Sequence, residues 1–326
     1  YTVYVKAIKE NYNDLKVEVK PAEGAEYPFN VCIAQAEQNL VFADGKTIEK
    51  TWSEDSESNK YTNAVSGGKT EEEVKYSAVA DEMSNGSPCA EINEETGEVT
   101  FYGAGTLQVT AIKKGDNNYK DAEISYTLTI RRAAQAELRI ESSIPSEFTY
   151  NENGNKIKLS TTGGSGDGAV TYGIQASPAD CVELEGDTLT VRKSGVVQVT
   201  ATKEKTDTYE AAQSEAKEIA IQKATQSIAF EATPETVIYG TAYKNVAEPV
   251  EVSQAADRKG YAENTVITYK VIEGEKIASV EKDGSLSWKG GSVGKLTVQA
   301  IKAGDDCYKE ASAEYTVTVA YAQLPE

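Results

Sequence analysis

Apolar residues stand at every second position in three separate stretches of the chain, residues 105–119, 195–209 and 294–308. Each stretch runs from a glycine to a tyrosine 14 residues later. A period of two is typical of a β-strand that buries one face. We therefore predict that one set of side chains is buried and that the residues between them, Gln108, Gln198 and Thr297, face outward. The buried set is Leu107, Val109, Val197, Val199, Leu296 and Val298.

A turn and a second alternating run follow each stretch. The turn residues 115–118, 205–208 and 304–307 are mostly turn formers, and the alternation then resumes, as at Tyr126, Leu128 and Ile130. Each unit is therefore predicted to close with a hairpin-like pair of strands. In the second unit the closing run is one residue longer, so we predict a bulge near Lys217-Glu218.

The repeat spacing defines the size of the unit. The first two copies are 90 residues apart and the last two are 99 apart. About seven alternating strands fit into each unit, which is the pattern of an immunoglobulin-like sandwich of roughly 100 residues. A helical period of 3.6 residues is not sustained, so helix should be scarce. The predicted fold is all-β, with tandem immunoglobulin-like β-sandwich domains in an elongated row.

A recurring junction with an alanine and a glutamine sets the predicted domain boundaries. It places domains at 36–132, 133–223 and 224–321, with 322–326 as the start of the next junction. Residues 1–35 are predicted to be the closing strands of an incomplete preceding domain, because Val3, Val5 and Ala7 copy the spacing of the repeated strand. The junctions contain no glycine or proline, so we expect neighbouring domains to be stiffly joined.

An aromatic-centred strand is predicted to open each unit, with residues 40–42, 148–150 and 237–239 as equivalents. The chain after these strands varies in length, which is typical of a surface loop. Trp52 lies in the longest of these variable stretches, near Tyr61, and has no counterpart in the other units on this alignment. Trp52 and Tyr61 are therefore candidates for exposed contact with a sugar or a protein.

Composition and charge exclude several classes of function. The net charge of −19 argues against binding to nucleic acid, and no apolar run reaches the length of a membrane span. The absence of histidine removes the usual general base and the commonest metal ligand, so we expect no enzyme activity and no cofactor. The four cysteines, Cys32, Cys89, Cys181 and Cys307, occur about once per unit. Free thiols are expected, with a bridge between Cys32 and Cys89 as the alternative.

The repeated motif G-x-L-x-V-x-A-x-K-x-G-D-x-x-Y-x-x-A, followed by a T-V-T-V or T-L-T-I strand, resembles the bacterial Ig-like repeats of long surface proteins and adhesins. The resemblance covers nearly the whole chain, although the second copy has Lys205-Thr206 where the first has Gly115-Asp116. It implies an extracellular location on a bacterial cell surface. Such repeats mostly serve as spacers and sometimes as binding heads.

Two further sets of residues are candidates for a role. Asp116, Asp305 and Asp306 offer the hard oxygen ligands that calcium prefers, although aspartate also simply favours such turns. Tyr119, Tyr209 and Tyr308 hold the same place in each unit. A buried ring with its hydroxyl bonded to nearby backbone would fix the corner between the last two strands.

Two functional hypotheses remain open at this stage. The first is a rigid stalk of tandem domains, about 33 Å per domain and on the order of 100 Å for three, which contacts neighbouring repeats of its own chain. The second is a binding module in which domain-end loops around Trp52 contact a host protein or glycan. A clustered and exposed aromatic patch at one domain end would favour the second hypothesis.

Overall fold

The computed structural model describes the backbone of residues 4–5 and 15–16 and the full residues 34–151, 155–231, 235–251 and 260–323. Two short strands precede the larger units and pair antiparallel: β1 (Tyr4–Val5) and β2 (Leu15–Lys16). The predicted role of residues 1–35 as closing strands depends on the contacts of Val3, Val5 and Val31, which lie outside the described side chains.

The remaining strands form three successive units. Unit 1 consists of β3 (Leu40–Phe42), β4 (Thr47–Thr51), β5 (Lys60–Thr62), β6 (Val65–Gly67), β7 (Val74–Ala80), β8 (Ala90–Ile92), β9 (Glu98–Phe101), β10 (Gly105–Lys113) and β11 (Ala122–Arg131), with one 3-10 turn at Ser56–Asn59. Unit 2 consists of β12 (Leu138–Ile140), β13 (Glu147–Thr149), β14 (Lys156–Lys158), β15 (Thr161–Gly163), β16 (Val170–Ser177), β17 (Val182–Glu185), β18 (Thr188–Val191), β19 (Gly195–Lys203), β20 (Ala212–Gln213) and β21 (Lys217–Gln222). Unit 3 consists of β22 (Ile228–Phe230), β23 (Thr236–Ile238), β24 (Ala247–Pro249), β25 (Ile267–Glu273), β26 (Ala278–Val280), β27 (Leu286–Trp288), β28 (Gly294–Lys302) and β29 (Ala311–Ala320).

The three units share one sheet order. The larger sheet is β4-β11-β10-β7 in unit 1, β13-β21-β19-β16 in unit 2, where β20 also pairs with β19, and β23-β29-β28-β25 in unit 3. Its first strand runs parallel to the closing strand, and its other pairs are antiparallel. Smaller sheets face it: β3-β6 with β5-β9-β8, β12-β15 with β14-β18-β17, and β22-β24 with β26-β27. Each unit is an immunoglobulin-like β-sandwich, and the chain is a row of such domains.

The alternation along the repeated strand determines the core, as predicted. Leu107, Val109, Val197, Val199, Leu296 and Val298 are all fully buried, with 0% exposure. The hairpin-like closing pair is also confirmed, since β10 pairs with β11 without interruption from Gly105↔Ile130 to Lys113↔Ala122. Burying these aliphatic side chains stabilises each sandwich by about 1.5–3 kcal/mol per side chain.

Thr297 faces outward as predicted, but it is not exposed to solvent as an outward-facing residue would be expected to be. It points to the opposite face from Leu296 and Val298 and is only 6% exposed. Its hydroxyl lies 3.0 Å from the Thr316 hydroxyl and donates to the Glu273 carboxylate at 3.1 Å. Neighbouring side chains on that face therefore cover it, and its hydroxyl remains hydrogen-bonded.

The structure also corrects which strands open each unit. The parallel partner of the closing strand is β4 in unit 1, β13 in unit 2 and β23 in unit 3. The predicted equivalent 40–42 is instead β3, which pairs with β6 and corresponds to β12 and β22. As a result, Trp52 directly follows β4 in the way that Tyr150 follows β13 and Tyr239 follows β23.

The extra residue of the closing run in unit 2 lies earlier than predicted. Lys217 to Gln222 form one regular strand, and the ladder is interrupted between Gln213 and Lys217. There Ser214 donates its N–H to the Ala201 carbonyl at 2.8 Å and accepts the Ala201 N–H on its hydroxyl at 2.9 Å. The Ser214 hydroxyl thus takes the place of a missing backbone acceptor, so the extra residue is accommodated without leaving the Ala201 N–H unpaired.

The two described buried cysteines occupy one position of the fold. Cys89 and Cys181 are buried free thiols, and their burial raises the pKa of both groups. Both pack against the glycine that starts the repeated strand, because a Cβ at Gly105 would lie 2.7 Å from Cys89 Sγ and one at Gly195 would lie 2.8 Å from Cys181 Sγ. Cys32 lies outside the described residues.

Candidate functional site: the joints between units

The turn after the repeated strand, which we call the connector turn (115–119, 205–209 and 304–308), has one conformation in all three units. In the first and third copies, the aspartate at the second position accepts two backbone N–H groups of the turn. Asp116 accepts from Asn118 at 2.7 Å and from Tyr119 at 2.9 Å, and Asp305 bonds in the same way. In unit 2 the Thr206 hydroxyl accepts the corresponding N–H groups at 3.2 and 3.0 Å. Threonine therefore replaces aspartate without changing the turn.

A glutamine of each junction clamps the base of the connector turn. Gln226 is buried and donates to the carbonyls of Ala303 at 3.0 Å and Lys309 at 2.7 Å, which flank the turn. Its side-chain oxygen accepts the Ala262 N–H at 3.1 Å. Gln38 and Gln135 make the equivalent bonds in units 1 and 2. One carboxamide thus binds three backbone groups in each unit.

The junction itself pairs with the connector turn of the unit that it begins. Ala133 donates to the Thr208 carbonyl at 2.9 Å, and Glu210 donates to the Ala133 carbonyl at 2.9 Å. Ala224 pairs with the turn of unit 3 through the equivalent bonds at 2.8 Å. Since β11 ends at Arg131 and β21 ends at Gln222, only one residue separates each closing strand from the next paired residue. This tether is too short to act as a flexible linker.

The tips of the second and third connector turns dock on the preceding unit through their backbone. The Ala104 N–H, just before β10, donates to the Asp207 carbonyl at 2.7 Å. The Ser194 N–H, just before β19, donates to the Asp306 carbonyl at 2.9 Å. The same backbone contact therefore occurs at both joints, which indicates a repeated interface and not a chance approach of two surfaces.

Side chains of the turn reinforce the docking differently at the two joints. The Asp207 carboxylate accepts the Ser84 N–H at 3.1 Å and also the Ser84 hydroxyl. Asp306 instead pairs with Lys193 at 3.3 Å, and Lys193 also reaches Asp180 at 2.8 Å. Hydrogen bonds to these two carboxylates, first to Asp180 and then to Asp306, raise the pKa of Lys193. The lysine therefore remains a cation that neutralises the acidic tip.

An aromatic pair forms the apolar part of each joint. The ring centroids of Trp52 and Tyr209 lie 5.2 Å apart with a T-shaped orientation, and those of Tyr150 and Tyr308 lie 5.7 Å apart in the same manner. Tyr209 and Tyr308 are 6% and 5% exposed, whereas Tyr119 is only half-buried. Such a pair adds about 0.5–1.5 kcal/mol beyond the area it buries.

The hydroxyl of Tyr209 also crosses the joint. It donates to the Glu54 carboxylate of unit 1, and this hydrogen bond raises the pKa of Tyr209. At the second joint the apolar core of unit 2 continues directly into Tyr308 and Ala262 of unit 3. Both joints therefore combine apolar contact with polar bonds that require a specific orientation.

The single tether residue contributes a third polar contact. Arg132 Nε donates to the Thr206 carbonyl at 2.7 Å, and Lys223 Nζ donates to the Asp305 carbonyl. Gln35 donates to the Asp116 carbonyl at 2.5 Å in the first connector turn. These three residues immediately precede the junction alanines, so each tether residue binds the turn that follows it.

The structure places the candidate residues of the sequence as follows. The predicted corner tyrosines Tyr209 and Tyr308 lie between units, in contact with the preceding domain. The calcium candidates Asp116 and Asp305 hold the N–H groups of their own turns, and Asp306 faces Lys193, a cation of the protein itself. Within the described residues, no group of three or more histidine, cysteine, aspartate or glutamate side chains is placed to hold a metal ion.

The two aromatic candidates for ligand contact both pack against the core of unit 1. Trp52 is half-buried against Tyr209, and Tyr61 packs near Tyr126 of the unit 1 core at 6.5 Å. The Tyr61 hydroxyl donates to Asp44 at 2.7 Å, and burial is the first cause of a strong rise in the pKa of Tyr61. In this structure Trp52 is a residue of the joint.

Several joint residues have no signal in the local pattern, among them Ala104, Ser194 and Ser84. Tyr150 and Tyr239 do have one, because they follow their junction alanines by 17 and 15 residues and Trp52 follows Ala36 by 16. Counting from the junction alanine would have identified the three as equivalents.

Within the described residues, no helix is long and apolar enough to cross a membrane.

Comparison with known proteins gives the following. No protein-family model and no curated protein matches the chain. Among solved structures, Drosophila N-cadherin EC1-3 matches with a TM-score of 0.38 and 12% identity over 85% of this chain and 98% of that one. Mouse cadherin-23 EC22-24 matches with a TM-score of 0.32 and 14% identity over 87% of this chain and 100% of that one. Values this low support no conclusion about activity or partners.

Proposed function

We propose that this chain is a non-enzymatic stalk or spacer segment of an adhesin-like protein on a bacterial cell surface. The observation that carries the proposal is the repeated joint. At both described joints a connector turn of fixed shape meets the preceding unit through a backbone hydrogen bond, an aromatic pair and a one-residue tether. Several independent contacts at each joint are expected to restrict both bending and rotation.

The location rests on other observations. The motif resembles repeats of bacterial surface proteins, and the net charge of −19 favours solubility. The buried thiols Cys89 and Cys181 contribute as small apolar side chains, so these sandwiches do not depend on a disulfide bond between them. An extracellular stalk at a bacterial surface is consistent with each of these features.

The rival function, recognition of a host protein or glycan around Trp52, receives no specific support from the geometry. Trp52 contacts Tyr209 of the next unit, and Tyr61 contributes to the core of unit 1. A ligand that stacked on Trp52 would compete with the joint. The stalk function therefore accounts for the observed contacts of Trp52 and Tyr61 better than ligand recognition does.

The experiment is a distance measurement between spin labels at Val79 of unit 1 and Val266 of unit 3, which are 76% and 74% exposed. A rigid stalk gives a single narrow distance distribution, and Trp52→Ala or Tyr150→Ala broadens it. Val41→Ala, at a position 58% exposed on the surface of unit 1, is the matched control and leaves the distribution narrow. A broad distribution in the unmodified chain would refute the stalk. If Trp52→Ala leaves the distribution narrow and abolishes capture of host ligands, the rival function is correct.

A further inference from the structure

The far end of unit 3 has the same parts as the surfaces that receive connector turns on units 1 and 2. Tyr239 follows β23 and donates its N–H to the Ala320 carbonyl at 2.8 Å. Trp52 and Tyr150 make the same bond to Arg131 and Gln222 at 2.9 Å. The aromatic ring of each joint is therefore held at the same point of the fold in all three units.

The backbone donor of the joint is also present at this end. Val293 stands immediately before β28, as Ala104 stands before β10 and Ser194 before β19. Within the described residues, the Val293 N–H donates to no acceptor, whereas the Ala104 and Ser194 N–H groups both bind a connector turn. The side chain of Val293 is 38% exposed, so this position is open at the surface.

The tether position of unit 3 carries a tyrosine. Tyr321 takes the place of Arg132 and Lys223, and its ring lies 6.1 Å from that of Tyr239. It is 58% exposed, and its hydroxyl donates to the Gly291 carbonyl. A tyrosine hydroxyl has one O–H to donate, so Tyr321 would have to release the Gly291 carbonyl to bind a turn carbonyl as Arg132 and Lys223 do.

We propose that this end of unit 3, formed by Tyr239, Val293 and Tyr321, is a docking surface for the connector turn of another unit of this repeat, joined through Ala322. The carbonyl at the third position of the turn accepts the Val293 N–H, and the turn tyrosine packs its edge against Tyr239. Two occupied copies of the same arrangement in the chain identify the occupant. The proposal rests on the proposed stalk function and extends its joint to a third position.

The loop before Val293 differs from the equivalent loops of units 1 and 2. It spans five residues after β27, whereas three residues follow β9 and β18, and its additional part contains Gly290 and Gly291. The Gly291 N–H donates to the Tyr239 hydroxyl at 2.8 Å, so the loop lies beside the aromatic ring. In unit 2 the equivalent loop supplies Lys193, which pairs with Asp306, whereas in unit 3 this loop supplies glycine backbone.

The test adds one unit to the full chain. A second copy of residues 133–223 is fused directly after Tyr321, so that its Ala133 takes the place of Ala322, and amide exchange is followed residue by residue by NMR. We expect the Val293 amide to exchange at least about tenfold more slowly in the extended chain than in the original one. The amides of Ala104 and Ser194 serve as internal standards and exchange slowly in both.

One variant tests the contact with the Tyr239 ring. Tyr239→Ala in the extended chain restores fast exchange at Val293, while slow exchange at Val298 of the unit 3 core shows that the unit remains folded. Unchanged fast exchange at Val293, with Ala104 and Ser194 protected, refutes this proposal and leaves the stalk intact. Fast exchange at all three amides refutes the stalk itself. Protection of Val293 in the original chain that grows with protein concentration, together with oligomers in sedimentation, assigns the surface to a second molecule and also refutes the proposal.

Discussion

Two tyrosine hydroxyls are buried in the sandwich cores without a hydrogen-bond partner among the described residues, Tyr126 in unit 1 and Tyr315 in unit 3. We predict that Tyr315→Phe stabilises unit 3. The Tyr315 ring is 5% exposed and meets Phe230 edge-on at 4.7 Å, and the substitution keeps this contact. A buried polar group without a partner costs about 1–3 kcal/mol, and the lost oxygen leaves only a small space. We therefore expect the free energy of unfolding to rise by about 1 kcal/mol.

Tyr269→Phe is the matched control in the same unit. The Tyr269 hydroxyl accepts the Ala247 N–H at 3.1 Å, so its removal leaves a buried backbone donor without an acceptor. This change should lower the free energy of unfolding by about 1–3 kcal/mol. The same chemical substitution is thus expected to have opposite signs at two positions of one core.

The assay uses the fluorescence of Trp288 during urea unfolding. The chain contains two tryptophans, Trp52 and Trp288, so a Trp52→Phe background leaves a reporter in unit 3 alone. Trp288 donates its indole N–H to the Thr241 carbonyl at 2.8 Å, and unfolding breaks this bond. The midpoint and slope give the free energy for this unit. Destabilisation by Tyr315→Phe of the same size as by Tyr269→Phe would refute the reasoning.

The equivalent residue in unit 1 supplies a pH test of the same idea. Burial raises the pKa of Tyr126 to about 12 from an ordinary value of 10.0. The unfolded phenol therefore ionises before the folded one, so this tyrosine's contribution to stability is complete below pH 10 and is lost as pH rises towards 12. Tyr126→Phe should lose less stability than the unmodified chain over this range, as measured by urea unfolding at each pH. An identical alkaline decline in both proteins would contradict the assignment.

Three further predictions concern single sites. Hydrogen bonds from the Ser285 hydroxyl and backbone lower the pKa of Asp283 to about 2, so unit 3 should lose stability as pH falls from about 4 to 2. Asp283→Asn should make the melting temperature less dependent on pH over that range, and an unchanged dependence would contradict this. Gly105→Ala should destabilise unit 1 by about 1–3 kcal/mol because its Cβ would lie 2.7 Å from Cys89 Sγ. In a double-mutant cycle, Cys89→Ala should relieve part of this cost, and strictly additive changes in the free energy of unfolding would exclude the contact. Gln226→Ala should cost about 1–3 kcal/mol in urea unfolding because it leaves the buried Ala262 N–H and two partly buried carbonyls without their partner. A neutral effect would show that water replaces the clamp.

The sequence by itself determined the repeat, the all-β class and the register of the central strands. These features follow from local periodicity, because side chains of a strand alternate between two faces and a slip of one residue would expose the whole apolar set. Leu107, Val199 and Val298 are buried for this reason. The position of the repeated tyrosine was equally visible, since a fixed spacing from the glycine marks it in each copy.

Only the tertiary structure decided which residues meet across a joint. The parallel pairing of β4 with β11 makes Trp52 the equivalent of Tyr150 and Tyr239, and the docking of unit 2 on unit 1 brings Trp52 against Tyr209. The burial of Thr297 likewise depends on Glu273 and Thr316 from neighbouring strands. Periodicity reports which face of a strand a residue occupies. The neighbours on that face come from long-range pairing and from the docking of one unit on the next, and no local pattern encodes them.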